Sequence, residues 1–167
     1  MTAQIQEIID LLEMQPHPEG GFYKETYRSV GAITSESLSS DYSGPRTYST
    51  CIYFMLVSGK FSAFHKINQD EVWHFYDGSP VELHTISPDG KHASHLIGRD
   101  FKKGQVPQLV VPGNHWFASK VSEPDTFSLV GCTVAPGFDF DDFVLAKRET
   151  LQRSYPQHEE VIEAFTH

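Results

Sequence analysis

Between residues 22 and 145 the chain consists of short, β-prone runs separated by turn residues. The runs begin near residues 22, 46, 61, 71, 81, 92, 107, 115 and 127. Turn dipeptides such as Ser58-Gly59 and Asp89-Gly90 lie between them. Many short strands at near-regular spacing are typical of an all-β sandwich or barrel. Strand-like and helix-like segments do not alternate, which argues against a parallel α/β sheet.

The two ends of the chain have helical patterns. A helix is predicted over residues 3–14, because apolar side chains recur there at helical spacing, Thr2 can cap its first turn and Pro16 bars its continuation. A helical tail is predicted over residues 147–165, with a break at Pro156. We therefore predict a single domain over residues 1–167, in which a barrel of about residues 22–145 lies between these helical ends.

The charge balance of the chain excludes several classes of partner. Lys and Arg number 13 against 22 Asp and Glu, which gives a net charge of −9. Binding to a nucleic-acid backbone or to an anionic membrane needs clustered Lys and Arg, so we expect neither partner. No apolar run approaches the ~20 residues that span a bilayer. The N-terminus lacks the basic and apolar regions of a signal peptide, so a cytoplasmic location is expected.

One stretch carries residues with the spacing of a known motif. In GKFSAFHKINQDEVWHFYDG (59–78), His65 lies six residues after a glycine, and Glu71 lies six residues further on. This pattern resembles the first motif of the cupin superfamily, G-x5-H-x-H-x3,4-E-x6-G. The second histidine of that motif is replaced by Ile67. A partial counterpart of the second cupin motif surrounds Pro112, and there Phe117 stands where the metal-binding histidine would be.

A narrower resemblance covers nearly the whole chain. The blocks HPEGGFYKETYRS, FHKINQDEVWHFYDG, VVPGNHWFAS and LVGCTVAPGFDFDDF are similar to the small cupin-5 type family, formerly a domain of unknown function. The resemblance implies a double-stranded β-helix, or jelly-roll barrel, with a short N-terminal helix and C-terminal helices. It also implies a homodimer. It implies no particular reaction, because fold alone does not determine activity.

Strand alternation and the cupin analogy place His65 and Glu71 inside the barrel. Two interpretations follow for this pair: a partial metal site, or a metal-free histidine–carboxylate pair in a pocket. A transition metal normally takes three or four protein ligands, and the cupin pattern supplies only two here. We therefore predict no firmly bound metal. A divalent metal, if one binds, would use His65 and Glu71, with a displaced His115 or water completing its coordination.

Aromatic residues near these two positions are candidates for the pocket lining. The predicted ligand-binding set is Tyr53, Trp73, Phe75, Trp116 and Phe117. Apolar walls with a few polar groups are typical of small-molecule sites. The alternative is that these side chains simply fill the barrel, as they do in small barrels.

The sequence leaves three functions open. The first is binding of a small molecule in the barrel pocket around His65 and Glu71. The second is a sugar or sugar-nucleotide isomerase or epimerase, in which His65 is the general base and an acid comes from one of four tyrosines. Those tyrosines are Tyr23, Tyr27, Tyr48 and Tyr53. The third is a metal-dependent cupin enzyme, such as a dioxygenase or a decarboxylase.

Two further segments and one cysteine receive structural interpretations. His17 lies in the HPEGG turn and is expected to fix that turn rather than to bind a ligand. In the run GFDFDDF (137–143), alternating Phe138, Phe140 and Phe143 are expected to dock the segment on the barrel. Cys132 lies in an apolar run and is expected to be an inert core thiol.

Overall fold

The computed structural model describes residues 2–167. Its α-helices are α1 (Ala3–Leu11), α2 (Arg148–Ser154) and α3 (Glu159–Ala164). Its strands are β1 (Gln15–Pro16), β2 (Phe22–Arg28), β3 (Ala32–Ile33), β4 (Arg46–Thr47), β5 (Thr50–Val57), β6 (Phe61–Lys66), β7 (Asp70–Gly78), β8 (Val81–Ile86), β9 (His92–Ile97), β10 (Gln108–Val111), β11 (Trp116–Val121), β12 (Phe127–Ala135) and β13 (Val144–Leu145).

The strands form two main antiparallel sheets. The first sheet has six strands in the order β1-β2-β5-β12-β7-β10, and the second has five in the order β13-β6-β11-β8-β9. Strands β3 and β4 form a separate pair. Neighbours in the sheets are distant in the chain, as when β12 lies between β5 and β7. The predicted all-β jelly-roll barrel is therefore confirmed.

Side chains from the two sheets meet in the barrel interior. The central cluster contains Phe54 and Trp73 from the first sheet and Leu83 and Phe117 from the second, each at most 1% exposed. Burying apolar surface of this kind is the main favourable contribution to folding. The cluster occupies only part of the interior, and the remaining part contains the candidate site.

The helices cover the outer faces of the sheets. Helix α1 packs Ile5 and Ile9 on the first sheet, against a cluster that includes Met55. It ends at Leu11 rather than at residue 14, because Glu13 adopts a left-handed conformation with φ 51°. Helices α2 and α3 pack on the second sheet in the cluster of Leu151, Ile162 and Phe165. Over residues 2–167, no helix has the length and apolar character needed to cross a membrane.

Candidate functional site

A cavity of about 420 Å³ lies inside the barrel, against the inner face of the first sheet. Inward-facing strand residues form most of its wall, including Ile52, His65, Glu71 and Cys132. The rest of the wall comes from two segments outside the central strands, the first of which includes the edge strand β1. These are residues 15–19, which precede β2, and the 138–143 segment, which follows β12.

His65 is held on both of its ring nitrogens. Its Nε2 lies 2.9 Å from Oε2 of Glu19, and its Nδ1 lies 2.7 Å from the carbonyl oxygen of Ala63. Two acceptors around one imidazole suit the doubly protonated ring, because both nitrogens then donate. Burial lowers the pKa of His65, but the charge and hydrogen bond of Glu19 outweigh it, so that the pKa is raised.

Glu19 is the ionised partner in this pair. It is only 5% exposed, and its Oε1 accepts a hydrogen bond of 2.8 Å from the Ser62 hydroxyl. Burial raises the pKa of the Glu19 carboxyl. The charge of His65 and the hydrogen bonds together lower it by more, so the pKa of Glu19 is below its usual value. Glu19 and His65 therefore form a buried ion pair in the cavity wall.

The direct partner of His65 thus differs from the predicted one. The histidine–carboxylate pair was expected to use Glu71, whereas the hydrogen bond goes to Glu19. The turn around Gly20 explains the difference, because it lies directly on β6. There the Ala63 amide donates to the Glu19 carbonyl at 2.7 Å, and a side chain at position 20 would collide with the carbonyl of Phe61.

Glu71 lines the cavity without a cationic partner of its own. Among residues 2–167 it takes part in no salt bridge. Burial and the nearby Glu19 charge raise the pKa of Glu71 to about 7, although His65, Cys132 and Trp73 act in the opposite direction. A carboxyl with a pKa near neutrality can either donate or accept a proton under physiological conditions.

His17 combines a structural contact with a place in the cavity wall. Its Nδ1 accepts a hydrogen bond of 3.3 Å from the backbone N–H of Glu19, which holds the turn as expected. The ring also lines the cavity, 4.8 Å from the ring of Tyr23 between centroids. Burial lowers the pKa of His17, so the ring is neutral near pH 7.

The 138–143 segment forms the aromatic part of the wall, with Phe138, Phe140 and Phe143 lining the cavity. A buried ion pair anchors this segment to β4: Nε and Nη2 of Arg46 donate to the two carboxylate oxygens of Asp142 at 2.8 and 2.7 Å. The three phenylalanines were expected to be docking anchors. They pack on one another, with centroids 5.0 to 6.5 Å apart, and also face the cavity.

The predicted aromatic lining is not the observed one. Trp73 and Phe117 point inward but fill the packed part of the barrel, where their centroids are 6.4 Å apart. Phe117 pairs with His65 across β6 and β11, and its ring packs on the imidazole at 4.0 Å. Phe75 packs at the edge of the same central cluster.

The other two predicted aromatics face outward. Trp116 belongs to the cluster beneath the C-terminal helices, and Tyr53 to the cluster beneath α1. Of the four tyrosines considered as acids, Tyr23 is the one that lines the cavity. Tyr27 and Tyr48 are more than half exposed.

The residues around His65 do not fit a divalent metal. Ile67 lines the cavity where the cupin motif has a ligand, and Phe117 stands at the other missing position. Both nitrogens of His65 are engaged, and Nδ1 of His115 bonds to the carbonyl of Gly113 at 3.1 Å. Within residues 2–167, no group of three or more His, Cys, Asp or Glu side chains is arranged to hold a metal ion.

Comparison with known proteins identifies a family of similar chains. The family model described as "Cupin superfamily (DUF985)" matches residues 6–146. The structure of protein SO0799 from Shewanella oneidensis is 40% identical, with a TM-score of 0.85 over 97% of this chain and 96% of that one. A hypothetical protein from Leishmania major is 33% identical, with a TM-score of 0.88 over 100% and 99% of the two chains.

A curated relative is similar at the sequence level. The uncharacterized protein YML079W of Saccharomyces cerevisiae is 33% identical over 156 residues, which cover 88% of this chain and 77% of the relative. The descriptions of these three proteins name no ligand and no reaction.

Proposed function

We propose that this chain, which belongs to the Cupin_5 family (DUF985) of the cupin superfamily, binds a small organic molecule in the cavity lined by His65 and Glu71. The observation that carries the proposal is a cavity of about 420 Å³ whose wall contains the Glu71 carboxyl, which has no ion-pair partner among residues 2–167. Cavities of ~300–1,000 Å³ with apolar walls and a few polar groups are the usual sites for small ligands. Burying ionisable groups costs free energy unless they have partners, and a bound ligand would supply such a partner.

A second candidate function is proton transfer, as in an isomerase or epimerase. His65 is a poor general base in this arrangement, because both ring nitrogens already donate hydrogen bonds. Glu71 is better suited, since its pKa is about 7 and it faces the cavity. As a carboxylate it would take a proton from the carbon beside a carbonyl. The C–H electron pair would form the C=C bond of an enol, and Tyr23 on the same wall would protonate the carbonyl oxygen.

Metal-dependent catalysis is not part of the proposal. Metal-dependent catalysis would need a third metal ligand near His65 and Glu71. The neighbouring position in the cavity wall is Ile67, whose side chain cannot bind a metal. Glu71 is therefore proposed to act as a free carboxyl.

The test of ligand binding is a fragment screen followed by amide chemical shifts. Fragments that bind are expected to shift amides around the cavity, such as those of His65 and Glu71. Ile52→Trp places a large side chain in the cavity and should abolish these shifts. Val30→Trp makes a similar change on the surface, where Val30 is fully exposed, and should leave them intact. Absence of cavity binders, or binding that survives Ile52→Trp, would contradict the proposal.

A homodimer is proposed as the assembly in solution. Part of the outer face of the first sheet lies beyond α1 and exposes apolar side chains, with Val110 51% exposed and Tyr76 46% exposed. Contiguous apolar surface on a sheet favours association. Sedimentation velocity should give the mass of two chains, and Val110→Glu should shift it toward one. A monomer at all concentrations would contradict the proposal.

The cytoplasmic location of the protein stays a prediction.

A further inference from the structure

We infer that the cavity selects small organic cations, such as a substituted ammonium group on a short carbon chain, over neutral or anionic molecules of the same shape. The inference rests on the proposed ligand binding and names the chemical class of the ligand. Two independent features of the wall support it: the placement of its charges and the aromatic rings beside them.

Carboxylates outnumber cations in the wall. The acidic side chains that line the cavity are Glu19, Glu25, Glu71 and Asp139. The basic ones are Arg28 and the protonated His65, because His17 is neutral near pH 7. When one sign of charge predominates in a cleft, its low-dielectric walls concentrate the electrostatic field inside it. The cavity therefore has a negative potential whenever Glu71 is ionised.

Neither cation is available to a ligand. Arg28 donates from Nε and Nη2 to the two carboxylate oxygens of Glu25 at 3.0 and 2.7 Å, and from Nη1 to the carbonyl of Phe138 at 3.1 Å. His65 donates to Glu19 and to a backbone carbonyl. An anionic ligand would compete with Glu25 for the half-exposed Arg28, or with Glu19 for the buried His65, where it would leave the Glu19 carboxylate without its counter-ion. Phosphates and organic acids are therefore disfavoured.

Two wall carboxylates remain for a ligand: Asp139, whose Oδ1 already accepts a hydrogen bond from the backbone N–H of Asp141, and Glu71. Glu71 has no salt bridge within the described part of the chain, and the Glu19 carboxylate acts on it unfavourably. A ligand cation beside Glu71 would relieve this repulsion. The other charged or titratable groups that act on Glu71 are His65 and Cys132, and the Cys132 thiol stays protonated because burial raises its pKa. Cation binding would therefore favour the ionised form of Glu71.

Aromatic rings supply the second feature. Tyr23, Phe54 and three phenylalanines of the 138–143 segment line the same cavity as Glu71. The faces of such rings carry partial negative charge and attract ammonium groups. A neutral molecule would gain only apolar contact from these rings. Charge and ring placement thus favour the same class of ligand.

The test compares three probes of nearly one shape at pH 8, where Glu71 is mostly ionised. These are choline, its neutral carbon analogue 3,3-dimethyl-1-butanol, and the anion 3,3-dimethylbutanoate. Titration calorimetry should give choline an affinity at least about tenfold above the neutral analogue, equal to ~1.4 kcal/mol. The anion should show no binding. Glu71→Gln should remove most of the choline preference, whereas Glu160→Gln, on the exposed side of α3, should not change it.

Each result decides between the inference and the proposed function. Equal or tighter binding of the neutral or anionic probe in the cavity would overturn cation selection and leave ligand binding intact. Binding of neutral fragments without binding of choline has the same meaning. If no probe or fragment binds at a site that Ile52→Trp blocks, both the inference and the proposed function are wrong. Choline binding that is insensitive to Ile52→Trp would place it outside the cavity and overturn the inference.

Discussion

His65 and Glu19 form a buried ion pair, with 2.9 Å between the imidazole Nε2 and the carboxylate Oε2. One member lies on a barrel strand and the other on the turn that precedes β2. The pair therefore joins the N-terminal turn to the barrel at the wall of the cavity.

Removal of the Glu19 charge should destabilise the protein. Glu19→Gln leaves a buried imidazolium without its counter-ion, and loss of one partner of a buried pair costs about 3 kcal/mol or more. Urea denaturation should show this loss, and NMR titration should show a fall in the pKa of His65. Glu13→Gln is the matched control, because Glu13 pairs with Lys24 at 2.7 Å on the surface. A variant as stable as the wild type would contradict the ion pair.

Asp142→Asn should loosen the 138–143 segment. Both members of the Arg46–Asp142 pair are at most 3% exposed, so the substitution leaves Arg46 uncompensated at a cost of about 3 kcal/mol. Hydrogen exchange should accelerate at the amides of the segment. Asp77→Asn, which removes an exposed contact of 3.4 Å with Arg99, should leave exchange unchanged. Equal exchange in both variants would show that the pair does not hold the segment.

Glu71 should make stability fall as the pH rises. Its pKa is 4.5 as a free group and about 7 in the folded protein, so the folded state holds the extra proton between these values. Its contribution to the free energy of unfolding is full below pH 4.5 and is lost as the pH passes 7, a change of ~3 kcal/mol. Glu71→Gln should gain stability relative to the wild type over this range. A constant difference between the two proteins would contradict the raised pKa.

Phe140→Ala tests the aromatic wall. Phe140 is 50% exposed and its ring stacks on His17 with centroids 6.0 Å apart, so its loss should affect stability little. Loss of one exposed cation–π contact of ~0.5–1 kcal/mol should weaken choline binding about two- to fivefold. Phe101→Ala, at a 69% exposed position outside the cavity, is the control for calorimetry. Equal effects of the two substitutions would exclude a contact between the ligand and Phe140.

Elemental analysis tests the expected absence of a resident metal. Protein purified without chelator should contain far less than one metal ion per chain, because Ile67 and Phe117 replace ligands of the cupin motif. Iron, manganese, nickel or zinc near one ion per chain would overturn this expectation. His65 and Glu71 would then be the first residues to examine as ligands.

The sequence predicted the barrel well because turns and strands have local signals. Dipeptides such as Ser58-Gly59 and Asp89-Gly90 fall between the observed strands, and period-two alternation places His65 and Glu71 inward as expected. Alternation could not divide the interior into core and cavity. Trp73 faces the same side of β7 as Glu71, yet Trp73 is 1% exposed in the core while Glu71 lines the cavity. Whether an inward-facing residue lies in the core or at the cavity depends on its position along the barrel axis. The sequence carries no periodic pattern that reports this position.

Glu19 was missed for a different reason. Its contact with His65 depends on how the turn before β2 lies on the neighbouring sheet, and no local pattern reports such docking. The glycine pair of HPEGG was the available signal. Gly20 has a φ of 113° and lies against the backbone of Phe61, so the turn has to approach β6 closely. This close approach brings the neighbouring Glu19 into the interior beside His65.

The cavity has one wall of long paired strands and another made of two short segments: 15–19, which contains the edge strand β1 and its following turn, and 138–143. His65 on β6 and Arg46 on β4 each hold one of these segments through a single carboxylate. Substitutions in the segments that keep the two carboxylates would leave strand pairing unchanged. The wall of the proposed binding cavity can therefore be altered by substitution without altering the fold, in the way that exchangeable loops diversify other scaffolds.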